Sequence, residues 1–210
     1  MREGAHVAIH YRGSEHGARQ TAIEGETMGS RVALLQADLS DVSAARGLAG
    51  RAAEALGGLE VLVNSAAIME RGTVSEATPD DWDRTMNLNL RGAFFVAQGA
   101  AAAMKDGGAI VNIADLAAFE RWASYAVHCI SKAGVVAITR ALALEVRDAG
   151  VRVNAVAPGT VRTHDKRASI SGAGVHWVEI SELVNAVMFL ASDLSAGVTG
   201  HVLPVSHGES

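Results

Sequence analysis

Short apolar runs alternate with longer stretches in which apolar residues recur every three or four positions. Ala5–Tyr11 (AHVAIHY) reads as a strand, and the polar Ser14–Met28 as a helix. Arg31–Gln36 (RVALLQ) is a second strand, and Asp41–Leu56 an amphipathic helix. Leu59–Val63 (LEVLV) is a third strand with Asn64 at its end. Asp80–Met104 reads as one long helix opened by Thr78-Pro79-Asp80-Asp81: an N-cap, a proline at the first position and acids in the first turn. Ala109–Ile113 is a fourth strand. Ser124–Ala149 is another long helix, closed by Gly150 as a left-handed cap. Val151–Val156, the helix Ile180–Ser192 and the short strand His201–Val205 complete the pattern. Strands alternating with helices predict an α/β fold built on a doubly wound parallel sheet. No repeat, low-complexity tract or linker divides residues 1–210, so one domain is expected. The polar, Gly- and Ser-containing stretch His164–His176 predicts a loop.

Composition narrows the function classes. The 210 residues suit one α/β domain, and 49% hydrophobic content supports a sizeable core. A net charge of −5 argues against nucleic acid or an anionic membrane as partner. The one cysteine, Cys129, excludes an intrachain disulfide and fits a reducing compartment. No apolar run approaches the roughly 20 residues of a membrane span, and the first residues carry no signal-peptide core. The expectation is a cytoplasmic protein. His6 and His10 share one face of a strand without a third ligand, so no metal site is expected.

Ile110–Lys132 (IVNIADLAAFERWASYAVHCISK) carries the chemistry. A strand ends at Asp115; His128 follows thirteen residues later on a helix, with Lys132 four residues on. The segment resembles the active site of the short-chain dehydrogenase/reductase family, with Asp115 in place of a Ser and His128 in place of a Tyr. Other motifs join it in order. Ala37-Asp38-Leu39 resembles the adenine-contacting motif. Asn64-Ser65-Ala66-Ala67 resembles Asn-Asn-Ala-Gly, whose turn lies against the cofactor. Asn89 in Asn89-Leu90-Arg91-Gly92-Ala93-Phe94 falls at the catalytic Asn position. Arg152-Val153-Asn154-Ala155-Val156-Ala157-Pro158-Gly159 resembles the segment bordering the nicotinamide, which brings in Pro158, Gly159 and Val161. Phe189-Leu190-Ala191-Ser192-Asp193 and Val198-Thr199-Gly200 match the C-terminal pattern. The resemblance implies a Rossmann-like three-layer fold and nicotinamide-dependent redox chemistry. Asp at the Ser position, and the strand end His10-Tyr11-Arg12-Gly13-Ser14, are similar to the pteridine reductases; the 3-oxoacyl-carrier-protein reductase type explains the other motifs equally well.

Two features depart from the family. The segment between Thr163 and Val178 is short for a substrate lid, and Val205-Ser206-His207-Gly208 replaces Val-Asp-Gly-Gly. The chain also lacks the family's opening strand and Gly-rich turn into a helix, a piece of about 25 residues by average element lengths; Met1–Gly4 reads as the end of that helix. That strand is central in the doubly wound order, and its turn holds the pyrophosphate. Its absence predicts either a gap in the sheet or two strands abutting abnormally. A truncated reading frame and a short form without nucleotide binding both fit.

By the resemblance, the site comprises Asn89, Asp115, His128 and Lys132. Lys132 holds the ribose and Asn89 anchors a relay water. His128 is either the proton donor or a residue filling the Tyr position. Tyr125, three residues before His128, lines the substrate pocket. Asp115 either binds an amino-bearing ring or pairs with Lys132. Tyr11, Arg12 and Ser14 follow the first strand with no acid before Glu15, so Arg12 favours NADP over NAD; a surface arginine is the other reading. The expected partner is a small-molecule substrate, and the apolar long helices suit a homodimer or homotetramer as well as burial within one subunit.

Overall fold

The computed structural model describes residues 1, 3–120, 122–163 and 176–208. The loop expected at His164–His176 lies almost wholly outside them. Six strands and six helices alternate: β1 (Val7–Tyr11), α1 (Glu15–Thr27), β2 (Val32–Gln36), α2 (Val42–Leu56), β3 (Val61–Asn64), α3 (Pro79–Met86), α4 (Ala93–Ala103), β4 (Gly108–Ile113), α5 (Ala126–Glu145), β5 (Val151–Pro158), α6 (Ile180–Ala191) and β6 (Val202–Val205). Every strand pair is parallel, as predicted.

The long helix expected over Asp80–Met104 is not continuous. Thr78 does cap it: its hydroxyl accepts from Asp81 N, and the Asp81 carboxylate accepts from Thr78 N, a reciprocal capping box. The α-helical bonds then give way to a π-helical segment, Asn87–Gly92, before α4 begins. Asn89 sits in that widened turn, and such insertions often present functional side chains. The second long helix is α5, followed by a short 3₁₀ turn that ends at Gly150 with φ +72°. By length and composition α5 could cross a membrane, contrary to the sequence reading. Its buried face against β4 and β5, which includes Ser131, Lys132 and Thr139, makes it the core helix of the domain. Met1–Gly4 forms a single turn closed by Gly4 N donating to Met1 O, rather than the end of a helix.

The sheet is divided. β1 and β2 form one piece; β3, β4, β5 and β6, in that order, form the other. Of the two outcomes expected for a missing central strand, the gap is realised. On one face the halves are joined by α2 and α4. Their approach is close because Gly99 of α4 lies against the Arg46 carbonyl, where any Cβ would collide. Gly92 does the same against Leu39 O, 2.5 Å from where its Cβ would stand. The core follows this join: Leu35, Leu39, Leu48 and Val96 form one cluster, and Ala100, Met104, Ile110 and Val153 the next. α6 packs on the opposite face over Val111 and Val156. A cleft of about 820 Å³ runs between β1 and β3.

Candidate active site

The carboxyl end of β4 delivers Asp115, and the first turns of α5 deliver His128, Ser131 and Lys132. Asp115 caps the 3₁₀ turn Leu116–Ala118, one carboxylate oxygen accepting from Ala117 N at 2.9 Å. Its other oxygen lies 3.4 Å from His128 Nε2. His128 is 3% exposed, and its Nδ1 lies 3.3 Å from Ile68 O. Both ring nitrogens therefore face acceptors. A ring carrying both protons serves the two together, whereas a neutral ring serves one.

Lys132 is also buried. Its ammonium donates to Ile113 O at 2.8 Å, the carbonyl at the end of β4. Burial pulls its pKa below the ordinary lysine value, and the nearby Asp115 charge only partly offsets this. The Asp115–Lys132 ion pair weighed from sequence does not form; Asp115 pairs with His128 instead.

Asn89 is 2% exposed, and its side chain is fully engaged. Oδ1 accepts from Ile68 N at 2.8 Å, while Nδ2 donates to Ile68 O at 2.8 Å and Ser131 Oγ at 3.2 Å. Its amide thus clamps the Ile68 peptide, whose carbonyl also faces His128. The sequence reading missed Ile68 and Ser131. Ser131 stands three residues after His128 on the same helix face, a spacing that would have found it; Ile68 contributes only backbone, which leaves no side-chain signal.

Tyr125 precedes α5, partly buried, with its ring edge-on to Trp122 at 6.4 Å between centroids. Cys129 is half-buried rather than buried, and desolvation pushes its thiol up. Asn64 ends β3 and donates to Ala93 O and Asn112 Oδ1. Asn112 in turn donates to Thr139 Oγ1, a buried polar chain tying β3, β4, α4 and α5 together.

The remaining residues singled out in the sequence follow the carboxyl ends of the parallel strands. Tyr11, Arg12 and Ser14 follow β1, and the Ser14 hydroxyl makes no cap bond to α1. After β2, Asp38 accepts from Ser40 N and Oγ, which holds its carboxyl below the usual range, while Leu39 is buried in the core. Ser65 is exposed and Ala66 half-buried after β3. Pro158 ends β5, Gly159 N donates to Val205 O, and Val161 bridges to Val178. His6 and His10 tie β1 to the β2 segment, through Arg31 N and Ala37 O, and no metal-holding group of His, Cys, Asp or Glu occurs among the described residues.

A family model described as enoyl-(acyl carrier protein) reductase matches residues 1–210. A (2S)-[(R)-hydroxy(phenyl)methyl]succinyl-CoA dehydrogenase subunit of Thauera aromatica is 36% identical over 222 residues, covering 99% of this chain and 88% of its own. The crystal structure of a blue fluorescent protein from a metagenomic library, in complex with NADPH, superposes with a TM-score of 0.92 at 34% identity, covering 98% and 88% of the two chains. That of a short chain dehydrogenase from Burkholderia cenocepacia, in complex with NADP, gives 0.91 at 32% identity over the same shares.

Proposed function

The chain belongs to the short-chain dehydrogenase/reductase family of NAD(P)-dependent oxidoreductases, and on that premise we propose that it reduces a carbonyl or pterin-like C=N bond of a small molecule with NADPH. The observation that carries the proposal is the meeting of Asp115, His128, Lys132 and the Asn89-clamped Ile68 carbonyl at the end of β4. The donor set suits the two nucleoside ends of the cofactor. Lys132 supplies a buried ammonium for the nicotinamide ribose, beside Pro158 and Gly159. Arg12 and Ser14 supply a cation and a free hydroxyl for the 2′-phosphate, which favours NADP. Ser65, Ala66 and Val161 border the space between those ends, and Asp38 and Leu39 border the adenine side. No strand–turn–helix lies between β1 and β3, so the pyrophosphate has no helix N-terminus there.

The bound nicotinamide supplies the hydride. His128 supplies the proton from Nε2. The Ile68 carbonyl keeps Nδ1–H in place throughout, so the ring left behind is the tautomer with Nε2 ready to be reprotonated. Asp115 accepts from the doubly protonated ring and orients Nε2. Asn89 is a positioning residue, acting through the Ile68 peptide. Tyr125 and Trp122 give the substrate pocket an aromatic wall. Ile130 and Leu144 on α5, with Phe94 on α4, are exposed apolar residues that support assembly into a homodimer or homotetramer. The test is NADPH binding by calorimetry, then NADPH oxidation over a panel of ketones and pterins. His128→Tyr is expected to raise turnover, since a positioned phenol is the family's acid; binding without turnover in either form refutes the catalytic role.

A second reading, a non-catalytic oligomerising protein, is favoured by the divided sheet. It predicts a folded oligomer that leaves NADPH unbound.

A further inference from the structure

The cleft between the half-sheets is bounded by two strand edges that face each other. Val7 N bonds to Arg31 O and Tyr11 O accepts from Ala37 N, both on the β2 side. A parallel ladder alternates, so the backbone N–H and C=O of Ala8 and His10 point the other way, into the cleft. On the far side Glu60 O accepts from Ala109 N, toward β4, which turns Val61 and Val63 into the cleft by the same alternation. No described strand pairs with either edge. The two edges also run in the same direction. The residues that follow β2 and β3 both meet the start of α4, Leu39 O lying against Gly92 and Asn64 donating to Ala93 O, and β1 runs with β2.

The side chains around the cleft are apolar on both faces. Leu48 and Ala52 of α2 and Val96 of α4 line one face. On the other, Val61 and Val63 stay 40% and 45% exposed although they occupy an interior sheet position, and Met188 of α6 is 42% exposed beside them. Two facing ladders of backbone donors and acceptors, with apolar walls above and below, specify a polypeptide in extended form. From this we infer that the cleft is a binding slot for an extended apolar segment of about five residues from another polypeptide. The segment pairs parallel with β1 and β3 at once and joins the halves into one sheet. Its length follows from the five residues of β1 and four of β3. Side chains toward α2 are small, and those toward α6 are large and β-branched. The inference rests on the divided sheet and stands apart from the redox reading.

The test uses the 210-residue chain with a synthetic peptide, acetyl-Lys-Val-Ala-Val-Val-Val-Thr-amide, and amide hydrogen exchange. At saturating peptide the amides of Ala8, His10, Val61 and Val63 exchange at least tenfold more slowly, with no change along β6. A control peptide with proline at the central valine, which cannot pair on both edges, has no effect. Val63→Lys, at a half-exposed position that tolerates a charge, abolishes the protection. The inference is overturned if those four amides are unaffected, if the proline peptide protects them equally, or if protection falls on β6. It is overturned as well if Val63→Lys binds undiminished, or if protection appears without peptide and grows with protein concentration, which would make the occupant a second copy of this chain.

Discussion

Gly99→Ala tests the join that holds the two half-sheets together. Gly99 lies mid-way along α4, and a Cβ there would stand closer to the Arg46 carbonyl oxygen of α2 than the 3.0 Å that real Cβ atoms essentially never breach. The obstacle is backbone, so no rotamer change relieves it, and the helices must separate. Alanine improves the intrinsic helix propensity by about 0.8–1 kcal/mol. Overpacking of a tight contact costs about 1–3 kcal/mol, with a backbone obstacle at the upper end. The net expectation is a loss of about 1–2 kcal/mol. For a chain of this size that lowers the melting temperature by roughly 2–8 °C. Gly47→Ala is the internal control: Gly47 is exposed in α2 with nothing within 4 Å of its Cβ position. It gains the propensity without the clash and melts about 2–4 °C higher. Thermal unfolding followed by circular dichroism reads both. If Gly99→Ala melts at or above the parent chain, α2 and α4 do not meet at this distance and the proposed join is wrong.

Two further perturbations address the site. Burial lowers the Lys132 pKa below its unfolded value of 10.5, so between the two values the unfolded chain binds more protons and stability rises with pH. Lys132→Met removes that alkaline rise, and denaturant melts from neutral pH up to 10.5 measure it; an unchanged slope would place the amine in solvent. Arg12→Glu replaces a cation that faces the 2′-phosphate with a charge that repels it. A charged hydrogen bond contributes about 1.5–3 kcal/mol, so NADPH binding weakens roughly 10- to 100-fold while NADH binding changes little; equal weakening of both, read by calorimetry, assigns Arg12 a purely structural role.

Much of the scaffold was legible in the sequence because its signals are local. The Thr78 cap, the Gly150 turn and the apolar strand runs each need only a few neighbouring residues, and all are found where the pattern put them. Asp115, His128 and Lys132 were found by spacing, since a strand end and an early helix face are fixed by period alone. Their partners were not. Whether Asp115 reaches Lys132 or His128 depends on how the α5 side chains orient against β4, and the shorter Ile113 carbonyl contact takes Lys132 out of reach. The break in the long helix was invisible for a similar reason. Asn87–Gly92 has good helical propensity, and the π turn serves the tertiary demand that Asn89 clamp Ile68 while Gly92 passes Leu39.

The divided sheet explains why the site and the cofactor cradle are unequal. Everything at the end of β4 is held by contacts within one half: the Asn64–Asn112–Thr139 chain, the Asn89 clamp and the α5 core face. These do not depend on what lies between β1 and β3. The Arg12 and Asp38 side belongs to the other half, and its position relative to Lys132 is set on one face only, through the α2–α4 contact. A nucleotide that touches both halves must therefore draw on binding energy to fix their separation, unless a strand in the cleft has already fixed it. Peptide occupancy and NADPH affinity should accordingly be coupled, each raising the other by the same factor. Calorimetric NADPH titrations with and without saturating peptide measure that factor directly. A ratio of one would show that the α2–α4 contact alone makes the two halves rigid.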